Sequence, residues 1–468
     1  MFFGKPLPFI ENFIGALDDG IGEFKPGARL TRIQKRWLMF CIMGILFTNS
    51  VCWARFERAG MGQYSMAAIS WMFRHSKIPW EILLHMSVRV ILRTYGIADG
   101  ILLIDDTGKK RSKSAYKIAR LHKIKDKSTG GFFNGQCIVF LVLATPRITF
   151  PVGFAFHVPD PELSKWNKEN KRLKKRNIPS KKRTPKPKRN PEYPTIPELS
   201  LSLIKQFKAY HPDIKIQAIT ADALYATSTF MDGTSKLYKK AQVISQIRKN
   251  QVVVFKGQKV PVEDYFKRYQ SITRNICIRG GEDEEISFNS ARLYLQAHKK
   301  KRFIIALKYK GEEEYRYLVA SDLTWRTTDV IQAYTLRWLV EVFIQDWKTH
   351  EGWDALTKQP GEEGSDRSLI LSLLVDHCLF FHPDQLALLE NKLPAKTVGS
   401  LRESSKVDNL LMQFSDLLSM DNPEQEIKRV VQFLKEHLLK PKPSQKHMNH
   451  RHWGHFQPSP SLKYRAAA

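Results

Sequence analysis

The run ILLIDD at residues 101–106 constrains the fold more than any other feature, because four apolar side chains in succession leave no polar face before two carboxylates arrive together. A central strand buried on both faces reads this way, and its acidic end marks where the chain leaves the core. A basic loop over 109–127 follows, and then two long apolar runs, CIVFLVLAT and ITFPVGFAFHV, which Pro146 and Arg147 join in the manner of a hairpin. A helical stretch over 196–210 leads into IKIQAITAD, another strand that closes on a carboxylate, Asp222. Strand, strand, strand, helix, strand predicts a mixed α/β sheet.

A second pattern lies near residue 340. In AYTLRWLVEVFIQDWKTHEG, Tyr334, Arg337, Glu341 and Lys348 fall at offsets of 0, 3, 7 and 14, which at about 100° per residue is one narrow helical stripe. Leu336, Leu339, Val340, Phe343 and Trp347 lie on the opposite side. The predicted helix packs by that face and presents a carboxylate, two cations and a phenol on the other. An ordinary solvated helix face has the same composition, so the stripe gains meaning only from its company.

Charge supplies part of that company. Lys and Arg number 75 against 46 Asp and Glu, a net charge of +29 with a pI near 9.8. A chain so basic seeks a polyanion, most simply nucleic acid. Thirteen of the cations lie within 165–189, broken by Pro179, Pro185 and Pro187. Their mutual repulsion predicts an extended loop over 160–194, able to track phosphates. The hydrophobic share of 43% and ten Trp exclude a disordered basic tail as the whole protein. Cys41, Cys52, Cys137, Cys277 and Cys378 form no CxxC pair and read as reduced core thiols. The start of the chain lacks the pattern of an export signal, and the apolar run 38–47 is too short to span a bilayer. A cytoplasmic protein with no membrane partner is expected.

Three regions emerge. Residues 1–100 carry helical periodicity with cationic faces that include Arg32, Arg36, Arg55 and Arg58, suited to contact DNA. Residues 101–352 hold the sheet, with a β-rich insertion at about 247–325 whose strands are separated by Lys256-Gly257, Gly280-Gly281 and Lys310-Gly311. Residues 353–468 turn helical again, most clearly over 369–381 and 424–439, and end in a basic tail from 440. This last region is a candidate for dimerisation.

Asp106, Asp222 and Glu341 are far apart in sequence, yet they converge if both strands and the late helix are neighbours. Three carboxylates suit hard divalent cations such as Mg²⁺ or Mn²⁺, and two such ions can activate an attacking oxygen and stabilise the leaving oxygen of a phosphodiester. Asp105 competes with Asp106 for the first place.

The Tyr, Arg, Glu, Lys spacing resembles the YREK signature of DDE transposases from bacterial insertion sequences. Asp106 followed by Thr107 resembles that family's first motif, and ADALYA around Asp222 its second. The resemblance covers roughly 102–352. It implies an RNase H-like core, two metal ions held by Asp106, Asp222 and Glu341, and a DNA end gripped by Tyr334, Arg337 and Lys348. It also implies a Trp from the insertion that stacks on a flipped base, for which Trp325 is the candidate. Implied as well are cut-and-paste transposition through metal-dependent cleavage and 3′-OH strand transfer into target DNA, a homodimer pairing the element's terminal inverted repeats, and a bacterial, nucleoid-associated setting. An RNase H-like nuclease or resolvase without strand transfer would carry the same acids, as would an inactive DNA-binding relic.

Overall fold

The computed structural model describes residues 4–111, 118–126, 129–279, 281, 283–353 and 361–433. Strand β1 (Asp99–Lys110) has Leu102, Leu103 and Ile104 fully buried at its centre. The short β2 (His122–Lys125), which occupies part of the expected basic loop, and then β3 (Phe132–Ala144) and β4 (Thr149–His157) follow. β3 pairs antiparallel with both β1 and β4. On the other side of β1 lies β5 (Lys215–Ala221), parallel to it, and then β6 (Gln242–Ile247), parallel to β5. The order β4-β3-β1-β5-β6, with only β3 reversed, is the RNase H-like arrangement. The AQVISQI run, expected among the strands after Asp222, is thus the last parallel strand of the core.

The insertion consists of β7 (Val252–Phe255), β8 (Gln258–Pro261), β9 (Ile272–Cys277), β10 (Asp283–Leu295), β11 (Lys300–Tyr309) and β12 (Arg316–Ala320). It is antiparallel as expected, and β12 pairs with β6, so the insertion extends the core sheet to twelve strands. Lys256 and Gly257 turn β7 into β8 with φ of 49° and 77°, the two positive angles of a type I′ hairpin.

Five helices precede the sheet: α1 (Pro8–Phe24), α2 (Arg32–Thr48), α3 (Trp53–Ala59), α4 (Met66–His75) and α5 (Trp80–Thr94). The start of α2 is fixed by a capping box between Thr31 and Gln34. Its apolar run is buried among these helices, Cys41 included. Between β4 and β5 the chain forms α6 (Pro161–Lys175) and α7 (Ile196–Tyr210), and α8 (Ser228–Leu237) precedes β6.

The extended loop expected over 160–194 is therefore corrected, since α6 fills its first half. Asp160 caps α6 by accepting from the Glu162 and Leu163 amides at 2.9 and 3.2 Å, Pro161 supplies a preset φ at the first position, and Lys and Arg are good helix formers when not opposed by packing.

α9 (Val262–Phe266) lies in the insertion, and α10 (Thr327–Thr335), α11 (Trp338–His350), α12 (Gly361–Leu379), α13 (Pro383–Glu390), α14 (Val398–Leu418) and α15 (Pro423–Phe433) complete the described chain. The tail from 440 lies outside the described residues, as does the end of the helix expected to 439. α7 and α8 cover one sheet face, where Ile204, Phe207 and Met231 meet Val139, Leu141 and Ile219. α11 and α12 cover the other, where Val340, Trp347 and Leu373 meet Leu103, Phe140 and Val142.

The opposite side of α12 completes the core of the N-terminal helices through Leu371, Leu374 and Cys378. Residues 1–100 and the start of the C-terminal region therefore share one core, and the chain divides instead into compact units Met1–Met412 and Gln413–Ala468. The physical reason is that α12 is buried on all sides from Ser368 to Leu379, so a single neighbouring layer would leave half of that stretch wet.

One junction ties this bundle to α11. The Asn49 side chain donates to the Thr349 carbonyl at 2.7 Å and accepts from the Gly352 amide at 2.9 Å. Gly352 has φ of 77°, and a Cβ there would lie 2.9 Å from the Ser50 amide nitrogen. Gly352→Ala should therefore destabilise the fold by about 2–4 kcal/mol, summing left-handed strain and overpacking. Thermal unfolding checks this, and an unchanged melting temperature would contradict it.

Candidate active site

Asp105 and Asp222 sit where the parallel pairing of β1 with β5 ends. Ile104 of β1 pairs with Ala221 of β5, so Asp105 and Asp222 are the next residues on chains that run side by side, with neighbouring strands about 4.8 Å apart. Alternation assigns the faces. Leu103 packs under α11, while Leu102 and Ile104 pack under α7 and α8, which places Asp105 and Thr107 on the α11 face and Asp106 on the other.

The contacts agree. Asp105 meets the Arg337 guanidinium at 3.2 Å, and Thr107 Oγ1 accepts from Lys348 Nζ at 2.6 Å. Asp106 instead lies 3.9 Å from Cys137 Sγ, and its charge, after burial, helps push the Tyr225 hydroxyl far up. Asp106, expected as the first carboxylate, thus lies on the face away from α11, and its competitor Asp105 lies on the α11 face, because a one-residue step along a strand reverses the side chain.

Asp105 is itself unusual. Burial raises its carboxyl to about 6, assisted by the charges of Asp106 and Asp222 and opposed by the Asp106 amide and Arg337. The Asp106 amide donates to Asp105 Oδ1 at 2.8 Å. Asp222 is held by Ser245, whose hydroxyl donates to the Asp222 carbonyl at 2.7 Å, and its own Oδ1 accepts from the Ala223 amide at 2.6 Å.

Tyr334, Arg337, Glu341 and Lys348 were expected on one helix, but the chain breaks between α10 and α11. The amides of Arg337, Leu339 and Val340 bond three residues back, at 3.0, 2.9 and 3.2 Å. This 3₁₀ tightening rotates the two halves relative to each other. Arg337 stands at the break and bridges two carboxylates, reaching Glu341 at 2.6 Å as well as Asp105. Glu341 is exposed. Tyr334 Oη donates to Gln246 Oε1 at 3.3 Å, and burial pushes its hydroxyl up to about 12.

Trp325 is half-buried against the apolar cluster of Ile305, Leu318 and Val330, which gives it a packing role. The exposed tryptophan beside Arg337 is Trp338, with the Arg279 guanidinium 4.3 Å from its ring centre. Sequence reasoning missed Trp338 and Gln246, and named Thr107 only as the neighbour of Asp106. Only adjacency to the YREK positions could have signalled Trp338, and the other two become visible through strand pairing.

The donor set consists of hard carboxylate oxygens, which suits Mg²⁺ or Mn²⁺. Among the described residues, no three His, Cys, Asp or Glu side chains are grouped closely enough to hold an ion. The cause is visible in the contacts: the Arg337 guanidinium provides the positive charge between Asp105 and Glu341. The residues fit divalent cations in kind, provided that Arg337 withdraws.

A family model described as DDE superfamily endonuclease matches residues 31–271. The match takes in Asp105, Asp106 and Asp222 but stops before Glu341. No curated protein matches the sequence. Among solved structures, a piggyBac transposase synaptic complex with hairpin DNA is similar, at 10% identity and a TM-score of 0.43, over 97% of this chain and 89% of that one.

Proposed function

Because the chain belongs to the DDE superfamily endonucleases, we propose that it is a transposase that cuts DNA at the ends of an insertion element and joins the freed 3′-OH to target DNA. The observation that carries this reading is the bridge that Arg337 makes between Asp105 and Glu341, with Asp222 following β5 on the strand beside Asp105, in a chain of net charge +29.

Asp105, Asp222 and Glu341 would hold two divalent cations, which supply an activated oxygen nucleophile and stabilise the leaving oxygen of the phosphodiester. Arg337 must release the carboxylates for this, and its fork then turns to a phosphate of the DNA end, a bidentate partner of the same geometry. Lys348, anchored on Thr107 in this state, adds a point charge toward the backbone. Tyr334 is fixed by Gln246 and offers a phenol at the same wall. The exposed Arg32, Arg36, Arg55 and Arg58 of the N-terminal helices extend the cationic surface. Two protomers would pair the two ends as a homodimer, in a cytoplasmic, nucleoid-associated setting.

Incubating the protein with the DNA flanking its own gene, with Mg²⁺ or Mn²⁺, tests the proposal. Wild type should release the element and join its ends to a second duplex, and Glu341→Gln should do neither. Excision by Glu341→Gln at the wild-type rate would refute the assignment, and cleavage without joining would leave a nuclease.

A further inference from the structure

The basic segment over 161–189 is built as a helix and a return path packed against it, and it leaves the sheet at the end where Asp105 lies. Cys137 of β3 pairs with Gly108 of β1 on one side and His157 of β4 on the other. Since β4 runs parallel to β1, His157 leaves the sheet at the end that carries Asp105 and Thr107, two strands or about 10 Å across. Asp160 then caps α6.

The return path packs against the helix. Trp166 Nε1 donates to the Thr184 carbonyl at 2.8 Å, Arg183 Nε donates to the Ile178 carbonyl at 2.8 Å, and Leu163, Trp166 and Leu173 are half-buried on this inner seam. The segment rejoins the core at α7, whose first turn is fixed by a capping box between Thr195 and Glu198.

Its cations point outward. Of the thirteen, Arg172 is paired with Glu169 and Arg189 with Glu198, while Arg183 is bound to backbone. The other ten (thirteen less three) are exposed and, among the described residues, have no carboxylate partner. Lys168, Lys171 and Lys175 line one helical stripe. Such crowding is self-repelling and is relieved only by a polyanion. An anionic membrane surface fits poorly, since a helix lying in the interface needs apolar side chains beside its cations, and here Leu163, Trp166 and Leu173 face the return loop.

We propose that residues 161–189 form a helical clamp that grips the phosphate backbone of duplex DNA flanking the bond to be cut. This deepens the DNA-cleaving reading and takes from it the identity of the polyanion.

The test measures binding of the full chain to a duplex of a few helical turns by fluorescence anisotropy over a salt series without divalent metal. Since no cleavage is read, a failure of the catalytic assignment leaves its outcome untouched. Each phosphate contact contributes about 0.9 to the slope of log affinity against log salt. The triple variant Lys168→Glu/Lys171→Glu/Lys175→Glu should therefore flatten the slope by about 2 to 3 and weaken binding at least roughly ten-fold at moderate salt. The matching Gln variant, which preserves helix propensity, should move in the same direction with its helical circular dichroism intact. An unchanged slope in the helical Gln variant would overturn the clamp. So would loss of binding to phosphatidylserine vesicles with DNA binding unaltered.

Discussion

Asp105→Asn should abolish metal-dependent DNA cleavage while Asp106→Asn, one residue on, retains most of it. Asp105 is on the face of β1 that meets α11, and its carboxylate is joined through Arg337 to Glu341. Asp106 points toward Cys137 and Tyr225 on the far face. If the Asp105 oxygens hold cations that stabilise charge in the transition state, their loss costs roughly a thousand-fold, the upper end of what a single electrostatic stabiliser contributes, or about 4 kcal/mol of barrier. Asp106→Asn removes a charge near Tyr225 and should stay within about ten-fold, as expected of a group that touches no reacting atom. Cleavage of element-end DNA by both variants, each confirmed as folded by circular dichroism, decides the matter. The reverse ranking would return the first place to Asp106.

That single position shows where sequence reasoning stopped. The run ILLIDD identified the strand, because burial on both faces leaves a readable pattern, but the acids do not close it: β1 continues to Lys110. The run could not identify the face, since a strand buried on both sides has no polar alternation to phase it. Only Leu103 under Trp347 and Thr107 beneath Lys348 settle the parity. The YREK spacing survived better. The helical wheel grouped Arg337, Glu341 and Lys348 correctly, although a 3₁₀ turn at Leu336 and Arg337 breaks the helix it assumed.

One other misreading has a local cause. The basic segment was judged by its charge alone, whereas Asp160, Pro161 and Glu162 already spelled a helix start. The helix after residue 361 was read as part of a C-terminal region that is a candidate for dimerisation. Its unbroken run LILSLLV signals burial on every side, which requires two partners, and those partners are the sheet and the N-terminal bundle. The β-insertion, by contrast, was legible throughout except for β8, because Lys256-Gly257 and Lys310-Gly311 punctuate short apolar strands.

The second large effect concerns what supports α11. Glu351, the residue that closes this helix, is fully buried, and its carboxyl faces that of Asp376 on α12, which is 7% exposed. Burial raises both, Glu351 well above its usual range and Asp376 to about 7; Asp376 and Asp346 push Glu351 further up, whereas the hydrogen bond with Glu351 lowers Asp376 and the charge of Asp346 raises it. Arg402 acts on Glu351 in the opposite sense, but its guanidinium is committed to the Leu46 carbonyl, at 3.1 and 2.9 Å. A folded-state value above the unfolded one means that the native state prefers the proton. The stabilisation is complete below about pH 4, where an unfolded aspartate also holds its proton, and it is lost as pH rises through 7. At pH 8 the native state must carry an ionised Asp376 in the core, which destabilises it relative to pH 5. Asp376→Asn keeps the shape and discards the charge, so its melting temperature relative to wild type should climb between pH 5 and pH 8. A constant difference across that range would mean that Asp376 is ionised throughout. The placement gives the pair its consequence for the site: Lys348 lies three residues before Glu351 and Glu341 ten before it, so ionising the pair loosens the foot of the helix that carries them.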